Sequence, residues 1–174
     1  MASGPLDGVR VLEFTQIIAG PLSCQHLADL GAEVIKIEPP QGEPWRLAQQ
    51  FIPLESKTFQ GLNRGKRSLA IDLAHPQSRE VIYELVKEID VVVINYRPDV
   101  PTKLGIDYES LRAIKPDLIY WQNTGFGETG PEAFRAGSDV VAQAYSGLMA
   151  LDSKLRDDGA PELISSPVAD LVTG

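Results

Sequence analysis

The fold is decided by residues 9–38, which read VRVLEFTQIIAGPLSCQHLADLGAEVIKIE. Residues 9–14 and 33–38 are short runs of β-branched and apolar residues, which is typical of strands. Between them, Gly20-Pro21 ends the first strand and begins a helix that is predicted over about residues 22–30. A strand, a tight turn, a helix and a second strand in this order predict a βαβ unit with a right-handed crossover.

The rest of the chain continues the alternation of strands and helices. The run Val-Val-Val-Ile at residues 91–94 is wholly apolar, as in a parallel strand that is covered on both faces. The pattern predicts an α/β, Rossmann-like fold with a mostly parallel sheet and helices on both faces. Further strands are predicted at 69–73 and 118–123, and further helices after His75-Pro76, over 108–113 and over 140–150, the last capped by Ser138.

Composition and charge restrict the function classes. With 43% hydrophobic and 23% charged residues, and no apolar run near the ~20 residues that cross a membrane, the chain is predicted to be globular and not membrane-bound. One cysteine, Cys24, excludes an internal disulfide framework and favours a reducing, cytoplasmic location, and no secretory signal is expected. The formal charge of −8 argues against nucleic-acid binding. A basic cluster at residues 64–67 still permits an anionic ligand.

Polar residues follow the predicted strands where a ligand site in an open α/β sheet is expected. Three such residues are Asn95, Tyr96 and Arg97, which follow the 91–94 strand. The alternative is that they only begin a solvated loop.

The turn at 17–20 lacks the G-x-G-x-x-G fingerprint of dinucleotide sites, and its two isoleucines suit either the core or an apolar ligand surface. Residues 124–131 form a glycine-rich turn without the P-loop Lys-Ser/Thr pair, so a mobile or tightly folded loop is favoured over a phosphate cradle. The proline- and aromatic-rich stretch 39–65 predicts a functional or packed loop with short helices.

Asp170 has two interpretations. As the acidic residue between two small apolar runs, it fits an ordinary helix N-cap, which accepts from backbone N–H groups. It also fits a nucleophile, which would need to stay ionised near such N–H donors.

The order of the landmarks resembles the family III CoA-transferases, the CaiB/BaiF-like group of formyl-CoA transferase and carnitine CoA-transferase type. The resemblance covers essentially the whole chain. Nine motifs carry it, in this order: PLDGVRVLE at 5–13, AGP at 19–21, LGAEVIKIE at 30–38, NRGKRS at 63–68, NYRP at 95–98, KLG at 103–105, TGFGETGP at 124–131, QAYSGLM at 143–149 and ADLVTG at 169–174.

The resemblance implies that residues 1–174 are the N-terminal part of a CoA-binding, Rossmann-like large domain. It implies that the chain moves CoA between carboxylic acids through an aspartyl anhydride and an aspartyl-CoA thioester on Asp170. Coenzyme A and acyl-CoA are then substrates, a small carboxylic acid is the partner, no metal is needed, and two chains form an interlocked homodimer. Matched onto this sequence, the implied CoA-binding residues are Ile18, Ala19, Ile71, Asp72, Leu73, Ala74, Asn95, Tyr96, Arg97 and Lys103.

Three positions depart from the family pattern and one separates two branches of it. Some members have arginine or lysine where this chain has Pro39, Ala74 and Ala136. The CoA phosphates are therefore expected to be bound mainly by Arg97, Lys103 and Arg135. The α-methylacyl-CoA racemases of the same family use a histidine within Ala-Gly-His-Asp as a base, where this chain has Ser138. The transferase is therefore favoured over the racemase, and a non-catalytic CoA- or nucleotide-binding module is the third interpretation.

Family members continue well beyond the aspartate, with a glycine-rich loop and a second, smaller domain. The resemblance therefore implies that this loop and this domain lie outside residues 1–174. We expect residues 1–174 alone to bind CoA weakly and not to turn over.

Overall fold

A computed structural model describes residues 4–48, 50–52, 55–152 and 154–174. Their strands and helices follow each other in the order β1 (Arg10–Phe14), α1 (Ala19–Asp29), β2 (Glu33–Glu38), α2 (Pro44–Leu47), β3 (Gln50–Ile52), β4 (Glu55–Ser56), α3 (Lys57–Asn63), β5 (Arg67–Ala70), α4 (Ser78–Val86), β6 (Val91–Ile94), α5 (Asp99–Leu104), α6 (Tyr108–Arg112), β7 (Ile119–Gln122), α7 (Asp139–Tyr145), α8 (Leu148–Leu151) and α9 (Val168–Thr173).

The main sheet is parallel and has the order β5-β2-β1-β6-β7. Numbered along the chain, its strands run 3-2-1-4-5, which is the order of doubly wound folds. The order reverses between β1 and β6, where Leu12 pairs with Ile35 on one side and with Val92 on the other. In such sheets, ligands bind in the crevice at this reversal, outside the carboxyl ends of the strands.

Both faces of the sheet are covered, because alternate residues of β1 point to opposite sides. Leu12 and Phe14 are fully buried in a core with residues of α4 and α6, such as Ile82 and Leu111. Val11 packs on the other face with Cys24 of α1 and with further residues of β2 and β6. The predicted α/β fold with helices on both faces is confirmed.

The boundaries of several elements differ from the prediction for physical reasons. The strand predicted at 69–73 lies at Arg67–Ala70, since its neighbour β2 ends at Glu38 and leaves later residues without a ladder. The helix predicted over 140–150 is divided into α7 and α8 because Gly147, at φ +77°, takes a left-handed conformation between them. The strands predicted at 33–38 and 91–94 are confirmed.

The stretch 39–65 contains the predicted short helices, α2 and α3, with a small antiparallel hairpin of β3 and β4 between them. Arg46 of α2 holds this stretch to the sheet: its guanidinium binds both carboxylate oxygens of Glu38 at 2.7 Å and lies 3.9 Å over the Phe59 ring. Burial alone would raise the pKa of Glu38, but hydrogen bonds from Arg46, Ser68 and the Glu43 N–H outweigh it and lower the pKa to about 2.

Among the described residues, none of the helices has the length and apolar character required to span a bilayer.

Candidate active site

A cleft of about 190 Å³ opens at the carboxyl ends of β1, β6 and β7, where the strand order reverses. Its walls come from segments that are far apart in sequence. They include Ala19 at the start of α1, Asn95, Tyr96 and Arg97 after β6, Asp139 of α7 and Asp170 of α9. Six residues of chemical interest therefore meet at the position where a doubly wound sheet binds its ligands.

The turn between β1 and α1 is tied to the end of β6 by Asn95. The side-chain oxygen of Asn95 accepts from the Gln16 N–H at 3.0 Å, and its amide nitrogen donates to the Gln16 carbonyl at 2.8 Å. Gly20 fits between these segments because it has no side chain. A Cβ there would lie 2.6 Å from Thr15 Cβ and 3.2 Å from Asn95 Cγ. Asn95 thus fixes the floor of the cleft through backbone contacts.

Asp170 is not the N-cap of its helix. Pro167 holds the N-cap position of α9, and Asp170 is the third helical residue, with its half-buried side chain on the wall of the cleft. The cap interpretation is therefore wrong, and the carboxylate is left to face the cleft. The far end of α9 packs on α1, where Gly174 lies against the carbonyl of Ala19.

The cap of α9 comes instead from Asp139. One carboxylate oxygen of Asp139, Oδ1, accepts from the N–H groups of Ala169 at 2.8 Å and Asp170 at 3.3 Å. Its other oxygen accepts from Gln143, a fully buried side chain on the same helix. Gln143 also holds the chain that leads to α9, since its Oε1 accepts from the Ile164 N–H at 3.1 Å. This pair fixes the position of Asp170.

The pKa of Asp170 is raised above the ordinary aspartate value. Burial is the larger cause, since it disfavours the charged form, and the negative charge of Asp139 is the second. The sequence favours a carboxylate that N–H donors keep ionised; in the structure, Asp139 takes the N–H groups and its charge opposes ionisation of Asp170. A carboxylate with a raised pKa in a cleft is a candidate for chemistry.

Replacing Asp139 by asparagine is expected to lower the pKa of Asp170. Asparagine keeps one oxygen for the N–H groups of Ala169 and Asp170 but removes the charge that opposes ionisation. The measurement is a carboxyl-carbon NMR titration of Asp170. Asp7→Asn removes an equal charge from an exposed turn at the other end of β1 and serves as the control. An unchanged pKa in Asp139→Asn would contradict the assignment of Asp139 as the interacting charge.

The remaining predicted ligand contacts separate into two groups. Leu73, Ala74 and Lys103 line a groove of about 440 Å³ together with His75 and Arg79. Ile71 packs against the core instead, and the Asp72 carboxylate accepts from the Ala74 N–H at 3.0 Å. Ile18 is also buried, at 7% exposure, and it is not among the residues that line the cleft.

The groove and the cleft are joined by a chain of charges. Arg97 lines the cleft, and its guanidinium lies 3.2 Å from Asp99 Oδ1. The other oxygen of Asp99 lies 2.6 Å from Nζ of Lys103, which lines the groove. The hydrogen bonds and charges of Lys103 and Arg97 lower the pKa of Asp99. The Asp99 carboxylate therefore links Arg97, which lines the cleft, to Lys103, which lines the groove.

The glycine-rich loop at 124–131 contacts the start of α7 at a close approach of two glycines, Gly125 and Gly137. A Cβ on Gly125 would lie 2.5 Å from the Cα of Gly137, and one on Gly137 would lie 2.4 Å from the Cα of Gly125. Above this crossing, the Arg135 guanidinium lies 4.9 Å from the centre of the Tyr145 ring, and the Tyr145 ring packs edge-on against Phe126. Of the two predicted alternatives, a mobile and a tightly folded loop, the glycine-rich turn fits the second, with Thr124 and Gly125 in the cleft wall.

Beneath the cleft lies a buried ionic network. Glu13 is fully buried, and its carboxylate lies 2.9 Å from Nζ of Lys36 and 2.9 Å from Nζ of Lys66. Each lysine also donates to a backbone carbonyl beside the turn that follows β1, both at 2.8 Å. Lys36 donates to Thr15, directly after β1, and Lys66 donates to Pro21, in the first turn of α1. Burial lowers the pKa of Lys66 despite the opposing charge of Glu13. The predicted basic cluster therefore supplies a buried lysine, while Arg64 and Arg67 pair with acids on the surface.

Two alternative site types meet physical obstacles. A dinucleotide site needs a free acid at the end of the second strand for the ribose, and Glu38 is engaged by Arg46 and Ser68. The proton-transfer base of the racemase branch is replaced by Ser138, whose hydroxyl caps α7 at the Val141 N–H. In the described part of the chain, no group of three or more His, Cys, Asp or Glu side chains is arranged to hold a metal ion.

Sequence reasoning missed Asp139, Gln143 and Arg79 as members of these sites. Asp139 and Gln143 are four residues apart on α7, the spacing that places side chains on one face of a helix, and this was the available signal. The pairing of Asp139 with α9 spans about thirty residues and has no local signature.

Comparison with known proteins gives a consistent answer. The model of CoA-transferase family III matches residues 6–174. The chain is 42% identical to succinate–glutarate CoA-transferase of Agrobacterium fabrum and 41% identical to succinyl-CoA:glutarate CoA-transferase of Homo sapiens, over 98% of this chain in both cases. It spans 44% and 39% of those two proteins, which is less than half of their length.

Solved structures agree with these relatives. A mutant of Rv3272 from Mycobacterium tuberculosis superposes with a TM-score of 0.92 at 40% identity, over 99% of this chain and 46% of that one. A CaiB/BaiF family protein from Brucella suis superposes with a TM-score of 0.85 at 43% identity, over 97% of this chain and 45% of that one. The family match extends over nearly the whole chain and includes both Asp139 and Asp170. The chain therefore belongs to CoA-transferase family III.

Proposed function

We propose that this chain carries the nucleophile and the CoA site of an enzyme that moves CoA between two carboxylic acids. The observation that supports the proposal best is the position of Asp170 on the wall of a cleft at the strand reversal. Several relatives are named as transferases of CoA between succinate and glutarate or mesaconate, which are carboxylic acids. Trapping of an acyl-CoA adduct on Asp170 tests the proposal.

In the first step, a carboxylate oxygen of Asp170 attacks the thioester carbon of the donor acyl-CoA. The new C–O bond forms as the C–S bond breaks, and the electron pair leaves on sulfur, so the products are an aspartyl anhydride and CoA thiolate. The thiolate then attacks the aspartyl carbonyl. This releases the donor acid as its carboxylate and leaves an aspartyl-CoA thioester.

The acceptor repeats the two steps in reverse. Its carboxylate attacks the aspartyl thioester, giving a second anhydride and free CoA thiolate. The thiolate attacks the acceptor carbonyl and releases Asp170 as a carboxylate. Each step exchanges one acyl bond for another, so no oxidant or reductant is required. The transfer of CoA between the two acids is thereby divided into four steps with comparable leaving groups.

The start of α1 supports the chemistry at the cleft. Its N-cap, Ile18, makes no side-chain cap, and no acidic residue lies in its first turn. The start of α1 therefore has no side-chain cap, and its first residue, Ala19, lines the cleft. Helix N-termini favour negative charge, so this end of α1 suits the oxygen that becomes negative as the thioester is attacked.

The groove beside α4 supports a site for the phosphates of CoA. His75, Arg79 and Lys103 line it, and Arg79 has no acidic partner within the described residues. Arg79 rests on the backbone near Gly105, where its Nε donates to the Leu104 carbonyl at 3.3 Å. Its two terminal nitrogens are left to donate to a phosphate in the fork geometry that arginine offers. Arg79 thus supplies positive charge near Ala74, where some members of the family have lysine.

Replacing Arg79 by alanine is expected to weaken CoA binding roughly fivefold to tenfold. We assign the 3′-phosphate of CoA to Arg79, so the affinity for 3′-dephospho-CoA is expected to change less than about twofold. Isothermal titration of both ligands at low ionic strength gives the two ratios. Arg112→Ala removes an equal charge from the exposed surface of α6 and controls for net charge. Equal losses of affinity for CoA and for 3′-dephospho-CoA would contradict the assignment of Arg79 to the 3′-phosphate.

The proposal includes a cytoplasmic location and a homodimer. The first is supported by Cys24, a buried free thiol that suits a reducing compartment. The second is supported by large apolar side chains at the surface, such as Phe134, Leu151 and Val172, the last at 81% exposure. Analytical ultracentrifugation measures the dimer directly.

A further inference from the structure

Ile17 has a backbone conformation that is unusual for its type. Its φ angle is +74°, and it is the only residue other than glycine with a positive φ in the described part of the chain. A β-branched side chain is disfavoured in this left-handed region by contact with its own backbone. Such a conformation persists only where surrounding contacts hold it, and it is frequent at ligand-binding sites.

Glu43 provides the contact that holds Ile17. Its side chain is buried at 2% exposure, and Oε2 accepts from the Ile17 N–H at 3.0 Å. The second oxygen, Oε1, is buried without a hydrogen-bond partner. A buried carboxylate is costly to keep, and the main contact visible for it is the backbone of this one turn. Burial also raises the pKa of Glu43 above the ordinary glutamate value.

The two ends of the same turn are held by other buried groups. Lys36 fixes the Thr15 carbonyl before the turn, and Lys66 fixes the Pro21 carbonyl after it, in the first turn of α1. Glu43 acts between them, on the middle of the turn. The turn leads directly into Ala19, which lines the cleft that holds Asp170.

We propose that Glu43 is a positioning residue that holds the strained turn at Ile17 in the shape that binds CoA. This inference rests on the proposed function, since CoA is the ligand that the turn would meet. Glu43 does not touch the reacting atoms; it acts through the N–H of Ile17. The proposal assigns a binding role to α2 and its preceding loop, a segment that lies outside the cleft itself.

The test is a double-mutant cycle on CoA affinity, measured by isothermal titration with residues 1–174. Glu43→Ala removes the acceptor, Ile17 relaxes to an ordinary conformation, and CoA affinity is expected to fall roughly tenfold. Ile17→Gly alone is expected to leave the affinity within about threefold, because glycine adopts a positive φ without strain. In the Ile17→Gly background, Glu43→Ala is then expected to cost less than about threefold.

Two further variants separate positioning from general stability. Glu43→Gln keeps an oxygen for the Ile17 N–H, so CoA affinity is expected to remain near that of the wild type even where the melting temperature falls. Glu109→Ala removes an equal charge from an exposed helix and is expected to change nothing. If Glu43→Ala does not fold, Glu43→Met, which has no acceptor for the Ile17 N–H but keeps most of the side-chain volume, takes its place in the same cycle.

The outcomes distinguish this inference from the proposed function. No CoA binding by the wild-type chain would overturn the proposed function. Normal CoA binding by Glu43→Ala, or an equal loss in the wild-type and Ile17→Gly backgrounds, would leave that function standing and overturn the role of Glu43.

Discussion

Replacing Glu13 by alanine is expected to lower the free energy of unfolding by about 3–5 kcal/mol, because it leaves two lysine ammonium groups buried without a counter-charge. Lys36 and Lys66 each lie 2.9 Å from the Glu13 carboxylate, and neither side chain is more than 2% exposed. Urea denaturation followed by circular dichroism measures the loss. Glu33→Ala, which removes a half-exposed carboxylate from an ion pair with Arg67, is expected to cost less than about 1 kcal/mol.

A triple replacement separates the effect of this network on stability from its effect on the turn that follows β1. Glu13→Leu with Lys36→Met and Lys66→Met removes all three charges together, and such exchanges are often neutral for stability. It also removes the donors to the Thr15 and Pro21 carbonyls, so the turn after β1 loses the groups that hold its ends. We expect a stable protein that binds CoA poorly. A Glu13→Ala loss no larger than that of Glu33→Ala would show that the network is not a buried ion pair in solution.

The layout of the sheet was predictable because it depends on local apolar patterns. The wholly apolar run at 91–94 became β6, an interior strand that lies between β1 and β7, and the βαβ unit of residues 9–38 became β1, α1 and β2. The ends of strands and helices were not predictable where they depend on a neighbouring strand or on the conformation of a single residue. β5 ends early because β2 ends, and the left-handed conformation of Gly147 divides a helix that the apolar pattern presents as continuous.

The candidate site was predictable as far as strand ends and motifs determine it. Asn95, Tyr96 and Arg97 follow β6 and meet Asp170 in one cleft, but their order along the chain could not show that Asp139 would cap α9. The apolar pattern of β1 likewise hides Glu13, whose charge is compatible with the core only because two distant lysines reach it. Tertiary hydrogen bonds and buried charge pairs have no local signature in sequence.

Replacing Asp170 by alanine is expected to abolish the covalent adduct that forms between the chain and an acyl-CoA. Asp170 lies on the cleft wall with its position fixed by the contacts of Asp139 to α9. Only the ionised carboxylate attacks a thioester, and its pKa is raised, so adduct formation is expected to increase as pH rises through that pKa. In Asp139→Asn the midpoint of this increase is expected at lower pH. CoA affinity of Asp170→Ala, measured in parallel, shows whether the site is intact.

The most direct test of the central claim is to map the adduct that succinyl-CoA forms on the chain. Hydroxylamine added to the reaction converts an aspartyl anhydride or thioester to a stable hydroxamate, which peptide mass spectrometry locates. We predict a hydroxamate on Asp170 in the wild-type chain and in the exposed-site control Asp7→Ala, and none in Asp170→Ala. A hydroxamate that persists in Asp170→Ala, or its absence from a wild-type chain that binds CoA, would contradict the assignment of Asp170 as the nucleophile.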